Sequence, residues 1–363
     1  MFEIIFIILI VLYFIQSSIF LIGVVKKFSQ IKEEKLLTAT VIVAARNEEK
    51  NILKCLESLD KLIYPEGKLD IIIVDDRSTD KTGEIIDEFI KDKHIFTKII
   101  SKEESSKLKG KTNALSCGIN TAKGKIIFTT DADCIVKPSW VFKTASYYKE
   151  NIAMVNGFTT QIADSNFTGM QSIDFIYLLM IASSTINLGK PISCIGNNMS
   201  YLKKAYLEVG GYESLPFSVT EDFNLLMAIS KLGKYKIIYP MDKETLVTSM
   251  PCENIKSLYR QKKRWAVGGL GVPLSGFMIL ISGYLTYLIM LLLPFFYSTL
   301  SLFLLSLKIF FDFLILFHVH HRLGILKNMK YFITTEIYFI IYILALPFLV
   351  ASNRKVKWKG REY

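Results

Sequence analysis

The stretch IIFTTDADCIVKPSW, Ile126 to Trp140, runs two isoleucines and a phenylalanine into a threonine pair, then sets Asp131 and Asp133 one residue apart. Its apolar start has the make-up of a strand buried on both faces. A carboxylate at the end of such a strand is costly to desolvate unless something pairs with it. Two of them together need a partner.

Outward from this stretch the chain alternates between two periods. TATVIVAA (Thr38–Ala45) is a short β-branched run, DIIIVDD (Asp70–Asp76) a second, FTKII (Phe96–Ile100) a third and KIIFTT (Lys125–Thr130) a fourth. Between the first two, Ile52, Leu53, Leu56 and Leu59 recur at helical spacing, and Asn47 is expected to cap that helix with Glu48 and Glu49 in its first turn. Ile85, Ile86, Phe89 and Ile90 mark a second helix, and a weaker one is expected from Thr112 to Ala122. Strands alternating with helices predict an α/β fold, a mostly parallel sheet covered on both faces. Ligands of such sheets bind beyond the carboxyl ends of the strands. Three strands deliver polar groups to that edge: Arg46-Asn47-Glu48, Asp75-Asp76 and Asp131-Ala132-Asp133. Any one of these acids alone reads equally well as a turn former. Five on one rim point to a bound cation and its ligand.

The 363-residue chain is 51% hydrophobic, with the excess at its two ends. The run Ile4–Val25 has about the length needed to cross a ~30 Å hydrocarbon core. A signal peptide would have a shorter apolar region, basic residues before it and a small-residue cleavage site; here Glu3 precedes the run and Lys26 and Lys27 follow it. Three more apolar segments, Leu274–Leu293, Phe295–Phe317 and Tyr331–Val350, follow Gly271. The expected organisation is an anchor over 1–27, a soluble body over 28–270 ending in an amphipathic interfacial helix, and membrane segments with a basic tail over 271–363. The net charge of +11 fits contact with anionic lipid, and Lys26 and Lys27 place the body on the cytoplasmic side of the cell membrane. No recognisable module favours nucleic acid as the partner. Three crossing C-terminal segments would carry the basic tail outside, against the positive-inside rule, so a non-crossing segment is expected. The five cysteines (Cys55, Cys117, Cys134, Cys194, Cys252) include no C-x-x-C pair and read as small core residues.

No G-x-x-x-x-G-K-[ST] and no G-x-G-x-x-G follows a predicted strand, which removes the P-loop and dinucleotide readings. Instead VIVAARNEEKNI, IIIVDDRSTDKT, KGKTNAL, TTDADC, TED and QKKRW resemble, in order and rough spacing, the successive motifs of glycosyltransferase family 2 over about residues 38–267. The resemblance implies a GT-A fold, inverting transfer from a nucleotide-sugar donor such as a UDP-sugar, and Mg2+ or Mn2+. It assigns Glu48 and the backbone near Ala45 to the nucleotide pocket, Asp76 with Asp75 to uracil or ribose, and Lys111 to the donor region. Asp131 and Asp133 become the D-x-D pair, with Asp133 in direct metal contact. Asp222 becomes the general base, and Gln261, Arg264 and Trp265 the motif closing the site. Gly196 and Asn197 would line the pocket between donor and acceptor.

Elementary chemistry agrees with these roles. A metal and a guanidinium stabilise a departing diphosphate, a carboxylate can take the acceptor hydroxyl's proton, and arginine matches phosphate oxygens bidentately. Thr220-Glu221-Asp222 also reads as a plain helix N-terminus with acids at its positive end, and the QKKRW segment as a basic membrane-surface helix. His318, His320 and His321 read as interfacial, while Asp312 and Glu336 are acids inside apolar runs. The tail KVKWKGREY resembles the ending of ceramide-glucosyltransferase-like enzymes, and Q-x-x-R-W is typical of processive cellulose and hyaluronan synthases. A lipid acceptor is expected, with a growing glycan as the alternative and an inactive membrane scaffold as a reading of another class.

Overall fold

A long apolar helix, α1 (Phe2–Val24), leads into the alternating body. The protein is seen here as a computed structural model describing residues 2–149, 151–351, 357–358 and 361–362. Strands β1 (Ala39–Ala45), β2 (Leu69–Asp75), β3 (Phe96–Ile100) and β4 (Ile126–Asp131) are linked by helices α2 (Ile52–Leu59), α3 (Thr82–Ile90) and α4 (Gly110–Thr121). Next come β5 (Cys134–Ile135), α5 (Trp140–Ser146), β6 (Ile152–Asn156), β7 (Thr159–Gln161) and α6 (Asn166–Asn187). After these lie β8 (Met199–Leu202), α7 (Lys203–Glu208), α8 (Gly211–Ser214), α9 (Glu221–Lys231), β9 (Lys236–Ile238) and β10 (Val247–Ser249). Helices α10 (Ile255–Gly268), α11 (Leu274–Leu292), α12 (Thr299–Leu323) and α13 (Phe332–Ala351) come next, followed by the antiparallel pair β11 (Lys357–Trp358) and β12 (Arg361–Glu362).

The main sheet has the order β3-β2-β1-β4-β8-β6-β9. Its first four strands are mutually parallel, and β8 runs antiparallel to both β4 and β6. Val41, Ile42 and Val43 of β1 are all fully buried, because side chains alternate between two covered faces. Ile42, Val74 and Ile127 pack with α4, α6 and α9 on one face; Val41, Val43, Ile71 and Ile73 pack with α2 on the other. The mostly parallel α/β fold read from the sequence is therefore present.

Three expectations need correction. The first helix begins at Ile52, not after Asn47. Asn47 instead takes φ 52°, the left-handed turn that asparagine tolerates better than most residues, and its side-chain oxygen accepts the Thr79 N–H at 2.9 Å. Glu48 and Glu49 thus sit in the turn over the sheet edge.

The second correction is α6, which has no counterpart in the sequence reading. Among the described residues it is one of five helices long and apolar enough to cross a membrane, but 78% of its apolar window is buried inside the protein, against 28–33% for α1, α11, α12 and α13. Its apolar residues face all round the helix, so no periodicity announces it. The C-terminal end of α1 is mounted on it. A side chain at Gly23 would meet the Ser184 carbonyl at 2.5 Å, and Lys26 donates to the Asn187 carbonyl at 2.8 Å.

The third concerns α12, which starts at Thr299 behind a Ser298 capping box and continues to Leu323, several residues beyond the expected Phe317. The three histidines therefore lie in its last turns, with His320 fully buried. The following turn docks on α6, where Asn328 donates to Ser172 at 3.0 Å and Tyr331 covers Gly169. The three C-terminal segments are helices of 19, 25 and 20 residues, each long and apolar enough to cross a membrane. Arg354, Lys355 and Lys359 of the basic tail lie outside the described residues.

Candidate active site

The carboxyl edge of the sheet gathers the polar groups that the strands deliver. Asp131 closes β4 and keeps its side chain 35% exposed, while Lys111 in the first turn of α4 reaches it at 2.6 Å. The same ammonium lies 3.1 Å from Glu221 at the start of α9. Burial works against the charge on Lys111, but Asp131, Glu221 and Asp222 outweigh it and hold its pKa above the ordinary lysine value. The partner that the two acids need is thus supplied in part by Lys111, which the fold brings from α4.

Asp222 follows Glu221 in the first turn of α9, where Thr220 makes no side-chain cap. One Asp222 oxygen accepts the Phe223 N–H at 2.8 Å. Burial, reinforced by the Glu221 charge, pushes its pKa up to about 6, against the pull of Lys111, the Phe223 N–H and Arg264. A carboxylate with that pKa can accept a proton near neutral pH. Gly196 leaves the space beside it open, since a Cβ there would lie 3.3 Å from the Asp222 carboxylate and 3.5 Å from the Lys111 ammonium. The Gly196 carbonyl accepts from Thr129 at 2.7 Å, and buried Asn197 accepts from Thr159 at 2.8 Å, so both are tied to the sheet.

A second group forms at the ends of β1 and β2. Buried Asp76 accepts from Ser101 at 2.7 Å, and Arg46 donates to its carbonyl at 2.6 Å. The Ala45 carbonyl takes the Asp76 N–H at 2.8 Å, and Asp75 accepts the Ser78 N–H at 2.9 Å. Glu48 accepts from Asn51 at 2.8 Å. Arg46 was read only as part of a polar cluster; the structure makes it the organiser of this corner.

The motif helix α10 supplies the rest. Arg264 donates to the Val219 carbonyl at 3.2 Å, beside the loop entering α9, and its charge reaches Asp222. Gln261 is half-buried on the same helix. Trp265 stacks on Phe175 of α6 at 5.5 Å and 14°, so its ring already has an aromatic partner. The sequence reading missed Glu221 as a site residue, although its place before Asp222 was the available signal. It missed Lys262 altogether.

Asp131 and the half-buried Asp133 offer only carboxylate oxygens, the donors of a hard cation. Among the described residues, no group of three or more His, Cys, Asp or Glu side chains gathers as a metal cage. That donor set fits a hard cation such as Mg2+ or Mn2+, which Asp131 and Asp133 would hold.

Comparison with known proteins adds the following. Residues 40–210 match the model described as glycosyl transferase family 2, and residues 126–351 the model described as glycosyl transferase family group 2. A poly-beta-1,6-N-acetyl-D-glucosamine synthase of Staphylococcus epidermidis is 29% identical over 275 residues, covering 73% of this chain and 64% of the relative. A beta-monoglucosyldiacylglycerol synthase of a Nostoc species is 27% identical, covering 63% and 48%. The chain thus spans about half to two thirds of the length of these curated relatives. Among solved structures, a mannosyltransferase of Pyrobaculum calidifontis in complex with GDP-Man and Mn2+ superposes with a TM-score of 0.60 at 16% identity, over 94% of this chain and 99% of that one. The likeness shows a common GT-A-type fold.

Proposed function

This chain belongs to glycosyl transferase family 2, and on that premise we propose that it is a membrane-bound, inverting enzyme moving a sugar from a UDP-sugar to a membrane lipid or lipid-linked acceptor. One observation carries the lipid reading: α10, whose Arg264 charge reaches Asp222, packs against α13 and touches α6 through Trp265 on Phe175 and Lys262 on Asp174, so the catalytic rim abuts the long apolar helices. A lipid acceptor can then present its hydroxyl without leaving the membrane surface. The diacylglycerol-glucoside relative supports this class of acceptor. The poly-N-acetylglucosamine synthase relative supports a second reading, extension of a glycan.

In this mechanism Arg264 and Lys111 hold the diphosphate, and Glu48, Asp75 and Asp76 line the nucleoside corner. The ionised Asp222 takes the proton of the acceptor hydroxyl as its oxygen forms the new bond to the anomeric carbon. The bond from that carbon to the diphosphate oxygen breaks on the opposite side, which inverts the configuration. Mg2+ or Mn2+ held by Asp133 and Asp131, when bound, supplies positive charge to the leaving diphosphate. Gln261 and Trp265 bound the acceptor side, and Gly196 keeps the passage clear.

The body faces the cytoplasm in this proposal, where nucleotide sugars are made. Membranes containing the protein, given a panel of UDP- and GDP-sugars, should yield a product one sugar heavier than a lipid. A ladder of products from a single donor would favour the glycan reading, and no product from any donor would favour a scaffold.

A further inference from the structure

We propose that Lys262 is a positioning residue: its buried ammonium, paired with Asp174 of α6, fixes the register in which α10 presents Arg264 and Trp265 to the rim. The inference rests on the proposed roles of those two motif residues. Lys262 is 3% exposed and Asp174 1% exposed, and the two side chains form an ion pair with each other. Tyr338 of α13 donates towards the same carboxylate oxygen at 3.5 Å. The Lys262 ammonium also lies 4.5 Å from the ring centre of Trp265, one turn along the helix, and 4.9 Å from Tyr342 of α13.

These contacts go beyond what helix packing alone requires. α10 is a basic amphipathic helix on which Leu258 and Lys262 are the only fully buried residues. With one apolar side chain fully buried, packing alone fixes its rotation and register only in part. A charge inside a low-dielectric contact must sit against its partner, because any shift leaves it unpaired. The pair therefore sets the rotation of α10 about its axis, and Phe175, next to Asp174 on α6, sets the plane of Trp265. Arg264 lies two residues on, so its reach towards Asp222 is set by the same register. The two anchoring helices, α6 and α13, are long and apolar, which makes them the support of a catalytic motif.

The test compares Lys262→Met, Asp174→Leu, the double variant and Lys262→Arg, all in the full-length protein in lipid nanodiscs. Either single change to an apolar residue strands a buried charge and should lower the thermal midpoint. The double variant leaves no charge behind and should regain it, since buried pairs exchange for apolar residues at little cost. In the double variant kcat should nonetheless fall about 10- to 100-fold, as misplacement by roughly 1 Å does, with a smaller loss of UDP affinity, because Lys111 and the nucleoside corner still hold the nucleotide when Arg264 shifts. Lys262→Arg keeps the cation and should keep most of the rate. Recovery of both midpoint and kcat in the double variant would make the pair merely structural and overturn the proposal. Equal losses of UDP affinity and kcat would overturn it too. Amide hydrogen exchange across residues 261–268 needs no acceptor: faster exchange in the double variant than in wild type supports the proposal, and unchanged exchange overturns it. If wild type itself transfers no sugar, the functional reading fails and the exchange result alone decides this one.

Discussion

At the sheet edge Lys111 serves Asp131, Glu221 and Asp222; among the long apolar helices Lys308 serves Asp312 and Glu336. Both groups hold more carboxylates than cations. They differ in what surrounds the excess. At the edge, Lys111 is 17% and Asp131 35% exposed, so a cation, diphosphate or hydroxyl can reach them. In the bundle, Lys308 is 0% and Asp312 4% exposed, with contacts of 2.6 Å to Asp312 and 2.8 Å to Glu336. Tyr13 of α1 donates to Asp312 at 2.5 Å, and Tyr287 of α11 receives the Lys308 ammonium at 2.9 Å. An open, underpaired group can bind and react. A closed one ties four helices together, because polar groups in an apolar setting must find partners.

The contrast makes unequal demands on mutation. Asp133→Asn should have the largest effect, abolishing transfer and lowering metal-dependent UDP binding while the thermal midpoint holds; unchanged UDP affinity and metal dependence would remove Asp133 from the site. Asp222→Asn should cost about two to four decades of transfer rate with UDP binding retained. If it only completes the start of α9, asparagine should be tolerated and turnover should stay near normal.

Lys308→Met probes the closed group. It strands two buried acids and should destabilise the protein by about 3–5 kcal/mol, whereas adding Asp312→Asn and Glu336→Gln should restore much of that. A midpoint in detergent that does not move with Lys308→Met would show that this cluster does not hold the helices together.

A smaller effect separates the two groups by pH. Transfer should fall about tenfold per pH unit below pH 6, because Asp222 must be ionised to act and its pKa is raised to about 6. Stability moves the other way. A carboxyl whose folded pKa exceeds its unfolded value of about 3.9 contributes stability that is full below that value and lost as pH rises through about 6. Asp222→Asn should therefore flatten the stability profile between pH 4 and 6 (the window set by those two values) while slowing transfer. A wild-type rate flat across that range would place the base elsewhere.

Smallest of all should be Lys93→Ala, which breaks a surface pair with Asp60 at 2.5 Å. A partly exposed pair of this kind contributes at most about 1 kcal/mol, so a larger drop in midpoint would show that exposure is a poor guide to the two clusters as well.

What the sequence determined by itself is local in character. The β-branched run ending in Asp131 and the spacing of Ile52, Leu56 and Leu59 each lie within one element, and so does the length of the N-terminal apolar run. Period and composition suffice to read them, and with the ordered motifs they led to the parallel sheet, the acidic rim and the family. The tertiary structure decided what joins distant elements. Lys111 and Asp131 are 20 residues apart, and Lys262 finds its acid 88 positions away in sequence. Helix α6 was silent because its apolar surface has no single face, and Lys308 because one lysine in an apolar run gives no sign of which acids it will meet. An ion pair depends on distances of a few ångströms, and sequence order sets those only inside a helix or strand. Between elements they are set by how the faces pack.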